Sequence, residues 1–385
     1  MNRLIILTIA LFMAACVDPF EPPVEDYEQL LVVEAFISDD DEAQVVKLSL
    51  SAPIDGEEFT PVTSADVRLE DNQGNSYAFP HEGSGNYYSV PGMLDIQPGR
   101  TYTLRIVLPG GESYASEPVS LKETPPIDDV YFELESFVSE EDGTVQQGVV
   151  VLTDTKSPDG EPLYLRYDWE ETYMSVSPFP SFYVYNSDSG TIDLREDNIT
   201  NCWLSRQSSN IDIETTEGLT DPDIRQHRVR YLSFNREQLN YRYSILVKQY
   251  ALDVEGYEFW KSLRETNENT GTLFDVLPFP LTANIYNEGN PDQPVLGYFD
   301  ISTVSSKRIY IDKEDLPSGT SVRTLFQECI SNAGDTLVSP AVVPDFTNQG
   351  YLISYSVIPG GFVMVPQSCI DCRIYGSNVK PDFWE

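Results

Sequence analysis

Short segments in which hydrophobic and polar residues alternate fill the first third of the chain after residue 29. Residues 66–70 read DVRLE and residues 101–108 read TYTLRIVL, with turns rich in Gly, Pro and Asn between such segments. A period of two residues is that of a strand with one buried face. Repeated short strands of this kind predict an immunoglobulin-like or fibronectin-like β-sandwich over residues 29–125, ending at the stiff Thr-Pro-Pro of residues 124–126.

The rest of the chain, residues 126–385, predicts a larger β-rich domain with one amphipathic helix. Strand-like segments recur at residues 130–135, 163–174, 241–251 and 351–357. The helix is predicted near residues 253–269, because Asp253 is a good N-cap and Val254, Tyr257, Trp260 and Leu263 follow helical spacing. The predicted fold class is therefore mainly β.

The N-terminus has the pattern of a lipoprotein leader. Arg3 precedes the apolar run of residues 4–13, and two alanines precede Cys16. Such a run is too short to span a bilayer and is typical of a signal peptide, here residues 1–15. The sequence predicts that Cys16 is acylated and becomes the N-terminus; the alternative is an ordinary secretory leader with a stray thiol. Residues 16–28 would then form a lipidated, acidic and Pro-rich spacer.

Charge narrows the possible partners. Lys and Arg number 24 while Asp and Glu number 62, a net charge of −38 over 385 residues. Such a surface repels phosphates, which argues against nucleic acid as a partner and leaves the lipid anchor as the contact with a membrane. The acidic residues after Cys16 resemble the surface-export signal of Bacteroidota lipoproteins. We expect an outer-membrane location with lipid anchoring, exposed at the cell surface.

Four cysteines remain after the leader: Cys202, Cys329, Cys369 and Cys372. An even number in an oxidising envelope predicts two disulfides, and four cysteines allow three pairings. We favour Cys369 and Cys372 each bonded to a distant partner, because long loops constrain the unfolded chain by roughly 3–5 kcal/mol per bridge. A redox Cys-x-x-Cys and a zinc site are less favoured alternatives, because the sequence lacks the surroundings or spacing of either.

Other chemistry is sparse. The two histidines, His81 and His227, are predicted at the surface, and no Gly-x-Ser-x-Gly motif supplies a nucleophile. Residues 39–42, Asp-Asp-Asp-Glu, are predicted as a solvated loop, since they lack the spacing of a Ca²⁺ loop. The sequence predicts no metal, no cofactor and no catalytic residue.

Aromatic residues are the best indication of binding. Residues 164–185 hold eight of them, and Phe179 lies between two prolines, a pattern repeated at Phe279. We predict Phe179, Tyr183 and Phe279 as binding aromatics, because exposed rings anchor protein partners and sugars. Ordinary packing in a sheet remains the expectation for most of the others.

Several motifs of the second half resemble those of a family of Bacteroidota outer-membrane lipoproteins known only as a domain of unknown function. The motifs are YEFW at 257–260, GTLFD at 271–275, NIYN at 284–287, LGYF at 296–299, CIDCR at 369–373 and KPDFW at 380–384. Members are often encoded beside TonB-dependent receptors, so the resemblance implies an accessory role at the outer membrane with such a receptor as partner. It supplies no catalytic residues.

Three functions follow in order of preference. The first is a non-enzymatic, lipid-anchored accessory protein that assists a TonB-dependent receptor in ligand capture or uptake. The second is a structural or adhesion lipoprotein of the envelope. The third is a hydrolase that uses paired carboxylates, which 62 acidic residues make hard to locate.

Overall fold

A computed structural model describes residues 29–51, 59–138, 145–234, 236–269, 283–318, 324–331, 335–357 and 360–384. The fold is mainly β, as the alternating pattern predicted. The leader, the spacer with Cys16, and Phe279 lie outside the described residues.

The strands are numbered in chain order. The first ten are β1 (Leu31–Ser38), β2 (Val45–Leu50), β3 (Thr60–Pro61), β4 (Asp66–Asp71), β5 (Ser76–Ala78), β6 (His81–Gly83), β7 (Asn86–Tyr88), β8 (Thr101–Val107), β9 (Ser113–Ser116) and β10 (Val119–Ser120). The next nine are β11 (Asp129–Val138), β12 (Val145–Thr155), β13 (Tyr164–Val176), β14 (Tyr183–Asn186), β15 (Thr191–Leu194), β16 (Asn201–Gln207), β17 (Asp212–Thr215), β18 (Ile224–Ser233) and β19 (Arg242–Ala251). The last six are β20 (Ile285–Asn287), β21 (Leu296–Ser302), β22 (Val304–Asp312), β23 (Thr336–Val338), β24 (Tyr351–Val357) and β25 (Gly361–Pro366).

In the described residues, helices are few and short except for one. They are α1 (Val254–Asn269), α2 (Gln327–Ser331), α3 (Val343–Asn348) and α4 (Gln367–Ile370), with 3₁₀ turns at Glu237–Leu239, Lys313–Asp315, Pro340–Val342 and Cys372–Ile374. In α1 the Asp253 carboxylate accepts the Gly256 backbone N–H at 2.7 Å, which is the predicted N-cap. The buried face differs from the prediction: Val254 is exposed, whereas Phe259 is buried and stacks on Tyr298.

Two sheets form an N-terminal sandwich. One has the order β21-β1-β2-β7-β6 with β3 beside β2, and the other has the order β20-β9-β8-β4-β5 with β10 beside β8. Alternate residues of β4 and β8, such as Leu69, Leu104 and Ile106, are fully buried between the sheets. The alternation read from the sequence is thus the inward face of this sandwich.

Two late strands complete the sandwich. β21 pairs in parallel with β1 over seven residue pairs, and β20 pairs with β9. Phe299 and Ile301 of β21 lie in the sandwich core and are fully buried. The sequence assigned these strands to the domain of residues 126–385; the structure pairs them with strands of residues 29–125, so the cores do not divide at residue 125.

Gly297 permits the close approach of β21 to β1. Its φ is +112°, and a Cβ added there would lie 1.8 Å from the Val33 carbonyl oxygen. Residues with a side chain rarely adopt this backbone conformation, and the Val33 backbone already occupies the space that a Cβ would need. The glycine of the LGYF motif is therefore required by the parallel pairing.

The second lobe is built around a further pair of sheets. One has the order β11-β12-β18 and the other β16-β13-β19-β22 with β17 beside β13. Buried residues from both sheets, including Val151, Tyr243 and Ile245, form one core. The small sheet β23-β25-β24 and the hairpin β14-β15 pack beside it around a minor core.

Two disulfides join the C-terminal tail to this lobe. Cys202 of β16 bonds to Cys372, and Cys329 of α2 bonds to Cys369 of α4. Each cysteine of the Cys-x-x-Cys therefore has a distant partner, as favoured from the sequence. All four are buried against the core of the second lobe.

The His227 side chain is only 9% exposed in the second lobe, contrary to the predicted surface position. Its ring stacks on Tyr167 at 4.3 Å between centroids, and its nitrogens lie 3.0 Å from Asp212 and 3.4 Å from Glu214. Burial alone would lower the pKa of His227, but hydrogen bonds and charges of Asp212 and Glu214 outweigh it and raise the pKa to about 9. The protonated ring thus ties β18 to β17.

The raised pKa of His227 predicts a pH dependence of stability. An unfolded histidine has a pKa of about 6.5, so the stabilisation is complete below that pH and is lost as pH rises through about 9. We expect His227→Gln to remove this dependence. The difference in unfolding free energy between wild type and variant should fall by up to about 3 kcal/mol from pH 6 to pH 10. Denaturant titrations at each pH measure it, and parallel curves for the two proteins would contradict the assignment.

Candidate functional site

A cavity of about 310 Å³ lies where the N-terminal sandwich meets the second lobe. We call it the interlobe cleft. The sandwich contributes β1, the following loop and the start of β2; the second lobe contributes β13, the end of β16, β19 and helix α1. Clefts shared by two folding units are common sites of ligand binding.

Lys248 of β19 holds the two sides of the cleft together. Its ammonium lies 2.9 Å from Asp40, 3.1 Å from Glu42 and 2.6 Å from Glu170, and only 8% of its side chain is exposed. Burial alone would lower the pKa of Lys248, but hydrogen bonds with Glu170 and Asp40 outweigh it and hold the pKa well above its ordinary value. Lys248 is therefore a permanent cation that crosslinks the lobes.

The loop of residues 39–42 is largely exposed, as the sequence predicted, but its acids also bond to the second lobe. Asp40 and Glu42 face Lys248, and the Asp39 carboxylate accepts the Val304 backbone N–H at 2.7 Å. Its acids are used to attach the sandwich to the second lobe. Nothing local in the sequence pointed to Lys248, 206 residues away, as their partner.

Aromatic side chains form one wall of the cleft. Phe36 packs edge-on against Tyr250 with centroids 4.9 Å apart, and the guanidinium of Arg166 lies between the rings of Phe36 (4.7 Å) and Trp260 (4.3 Å). Asp168 accepts a hydrogen bond from Arg166 Nη2 at 3.2 Å. Cation–π contacts of this kind contribute roughly 0.5–2 kcal/mol each.

Two donors in this wall have no hydrogen-bond partner among the described residues. They are Arg166 Nη1 and Trp260 Nε1, and both are buried. Unpartnered buried donors are rare and cost about 1–3 kcal/mol each. The aromatic wall therefore has two N–H groups that could donate hydrogen bonds to a ligand.

Each carboxylate that lines the cleft is paired with a cation. Glu34 pairs with Lys47, Asp168 with Arg166, and the remaining three with Lys248. A general acid needs a proton to give and surroundings that keep it protonated, whereas each of these groups lies beside a positive charge. The arrangement can bind polar and aromatic ligand surfaces better than it can move protons.

The aromatics singled out from the sequence lie elsewhere. Phe179, predicted as exposed, is half-buried against the core of the second lobe, and its backbone N–H donates to Ser177 Oγ. Tyr183 packs on Phe362 in the minor core, with ring centroids 5.6 Å apart. Neighbouring Phe182 is the exposed ring. Trp260 was visible in the sequence only as part of an amphipathic helix, and Lys248 and Arg166 carried no signal.

Two further findings concern the described part of the chain. No helix there is long and apolar enough to cross a membrane. Among the same residues, no group of three His, Cys, Asp or Glu side chains is placed to hold a metal ion.

The role of Lys248 is testable by removing its charge. We expect Lys248→Met to lower the unfolding free energy by about 1–3 kcal/mol, because the acids of both lobes would face each other without a cation. Lys47→Met is the matched control: it also lines the cleft, but its pair with Glu34 is exposed on both sides and should be worth about 0.5 kcal/mol or less. Urea denaturation of both variants measures the difference, and equal effects would refute the crosslink.

One family model matches the chain. It is described as Domain of unknown function (DUF4249) and matches residues 17–308. The matched span contains every residue of the interlobe cleft, whereas the cysteine-containing tail lies beyond it. No curated protein matches the chain.

Proposed function

The chain belongs to the family described as Domain of unknown function (DUF4249), and we propose that it is an exported, lipid-anchored accessory protein of the outer membrane. In this proposal it captures a ligand in the interlobe cleft and works beside a TonB-dependent receptor. Acylation at Cys16 would hold the folded body at the membrane surface through the spacer of residues 17–28.

The location is supported by the leader. Lipoproteins are acylated and cleaved at a cysteine that follows a characteristic leader. Here that leader has the basic Arg3, an apolar run of about ten residues and two alanines before Cys16. Several acyl chains give durable anchoring, unlike a single chain. The resemblance of the acidic spacer and the C-terminal motifs to Bacteroidota lipoproteins supports an outer-membrane position and the receptor as partner.

The aromatic wall of the interlobe cleft is the single observation that carries the binding role. It offers three rings beside two donors, Arg166 Nη1 and Trp260 Nε1, that have no hydrogen-bond partner in the part of the chain that the structure describes. A ligand with a flat apolar face and acceptor oxygens, as saccharides have, matches both features. The donors are closed off from solvent, so such a ligand would reach them after a small shift of the side chains.

Pairing of the cleft acids favours capture over hydrolysis. Glycosidases need one carboxyl that keeps a proton and a second that acts as nucleophile or base. The Lys248 ammonium alone lies within 3.1 Å of three of the five cleft carboxylates. The cleft therefore supports a binding protein better than it supports the carboxylate-dependent hydrolase.

Anchoring and partnership are tested together with Cys16→Ser. We expect the wild-type protein to incorporate a fatty-acid probe and to co-purify with a β-barrel receptor from detergent-solubilised membranes. The variant should lose both the label and the receptor, because it is no longer held at the membrane.

Gel fluorescence measures the label, and mass spectrometry of the affinity-purified material identifies the partner. Equal labelling of the two proteins would refute the lipid anchor. Labelling of the wild type without any receptor in the eluate would leave an anchored protein and refute the receptor partnership.

A further inference from the structure

A second cavity, of about 690 Å³, lies on the second lobe next to the interlobe cleft. We call it the arginine pocket, because Arg228, Arg230 and Arg264 line it. Asp212 is the only acidic residue among the described residues of its lining. In a chain with 62 acidic and 24 basic residues, such a concentration of positive charge opposes the overall surface charge.

Two different elements bring these arginines together. Arg228 and Arg230 flank Val229 in β18, where the pairing with β12 is irregular and the two arginines lie opposite the adjacent residues Leu152 and Val151. Arg264 comes from helix α1, one turn after Trp260 of the cleft wall. Trp169 and Ser208 line both the arginine pocket and the interlobe cleft, which makes the two cavities neighbours.

Arg230 is held rigidly in the pocket wall. Its Nε and Nη2 donate to the buried Glu171 carboxylate at 3.0 Å and 3.3 Å, and Tyr243 donates to the same carboxylate at 3.0 Å. The guanidinium lies 4.3 Å from the ring centroid of Trp169. A cation fixed by a bidentate pair and a ring is ready to bind without reorganising.

The other two arginines differ in how far their guanidinium groups are already paired. Within the described ranges, Arg264 makes one long hydrogen bond, 3.4 Å from Nη1 to the Ile213 carbonyl oxygen. Arg228 pairs through both terminal nitrogens with Glu135, and its side chain is 57% exposed. The acid of the lining, Asp212, is occupied by His227 at 3.0 Å. Arg264 therefore brings a guanidinium that no carboxylate hydrogen-bonds among the described residues.

We propose that the arginine pocket binds a small organic anion through a carboxylate or phosphate group. Guanidinium groups recognise these oxyanions by paired, charge-assisted hydrogen bonds. The volume suits a molecule of sugar or nucleotide size. The site does not depend on the lipid anchor or on a receptor, so it stands or falls separately from the proposed function.

The test uses the full chain purified in a non-ionic detergent, titrated with inorganic phosphate, D-glucuronate and D-glucose. Tryptophan fluorescence and calorimetry follow binding. We expect phosphate, glucuronate or both to bind, more weakly as NaCl is raised, and glucose not to compete with them. Which anion binds more tightly identifies the group that the pocket takes. Absence of binding by both anions, or equal binding of glucose at the same site, overturns the proposal.

Variants locate the binding. Arg264→Gln and Arg228→Gln should each weaken anion binding by about tenfold, since each removes a charge-assisted contact. Arg225→Gln is the matched control: Arg225 lies on the same strand, is also 57% exposed and pairs with acids, but does not line the pocket. Arg230 is left unchanged because its removal would leave the buried Glu171 carboxylate without its cation. Anion binding that Arg225→Gln weakens as much as the pocket variants, or that both pocket variants leave intact, also overturns the proposal.

Discussion

The pairing of β21 with β1 is the constraint on which the rest of the molecule depends. It brings residues 296–302 back to a sandwich that began more than 250 residues earlier, and it closes an edge that would otherwise expose its backbone N–H and C=O groups. Asn284 reinforces the return by bonding the Phe299 backbone through both its amide oxygen and its amide nitrogen. Only a residue without a Cβ at position 297 allows β21 to lie this close to the Val33 backbone of β1.

The pairing of β21 with β1 also positions the interlobe cleft. β21 continues after Thr303 into β22, which pairs with β19 of the second lobe, so one stretch of chain belongs to sheets of both lobes. At the junction, Lys122 lies 3.1 Å from Asp300 of β21 and 2.7 Å from Asp253, the N-cap of α1. Burial raises the pKa of Asp300 to about 6, although the Lys122 charge opposes the rise. The sandwich, the chain segment at Lys122 and helix α1 thus meet at one charge cluster. Helix α1 also contributes Trp260 to the interlobe cleft and Arg264 to the arginine pocket.

What the sequence could predict was local. Alternating hydrophobic and polar residues predicted β4 and β8, and Asp253 predicted the start of α1. The four cysteines predicted two disulfides with distant partners. Each of these signals arises from neighbours along the chain or from a simple count. The return of β20 and β21 leaves no such signal, because a three-residue strand and a seven-residue strand pair with partners over 160 residues away. Residues 39–42 stay largely exposed, as their composition predicted, but their bonds to Lys248 and Val304 and the packing of Phe179 against the second lobe depend on distant partners. The candidate site was unpredictable for the same reason, since its walls come from five strands, one helix and the loops beside them.

The most direct measurement is the folding of residues 29–125 produced alone, compared with the full chain. That fragment lacks β20 and β21 and would expose the core positions that Phe299 and Ile301 cover. We expect it to show no cooperative unfolding transition and few dispersed amide resonances. A fragment that unfolds cooperatively, with amide shifts matching those of the same residues in the full chain, would show that the sandwich is complete without the returning strands and would contradict the account.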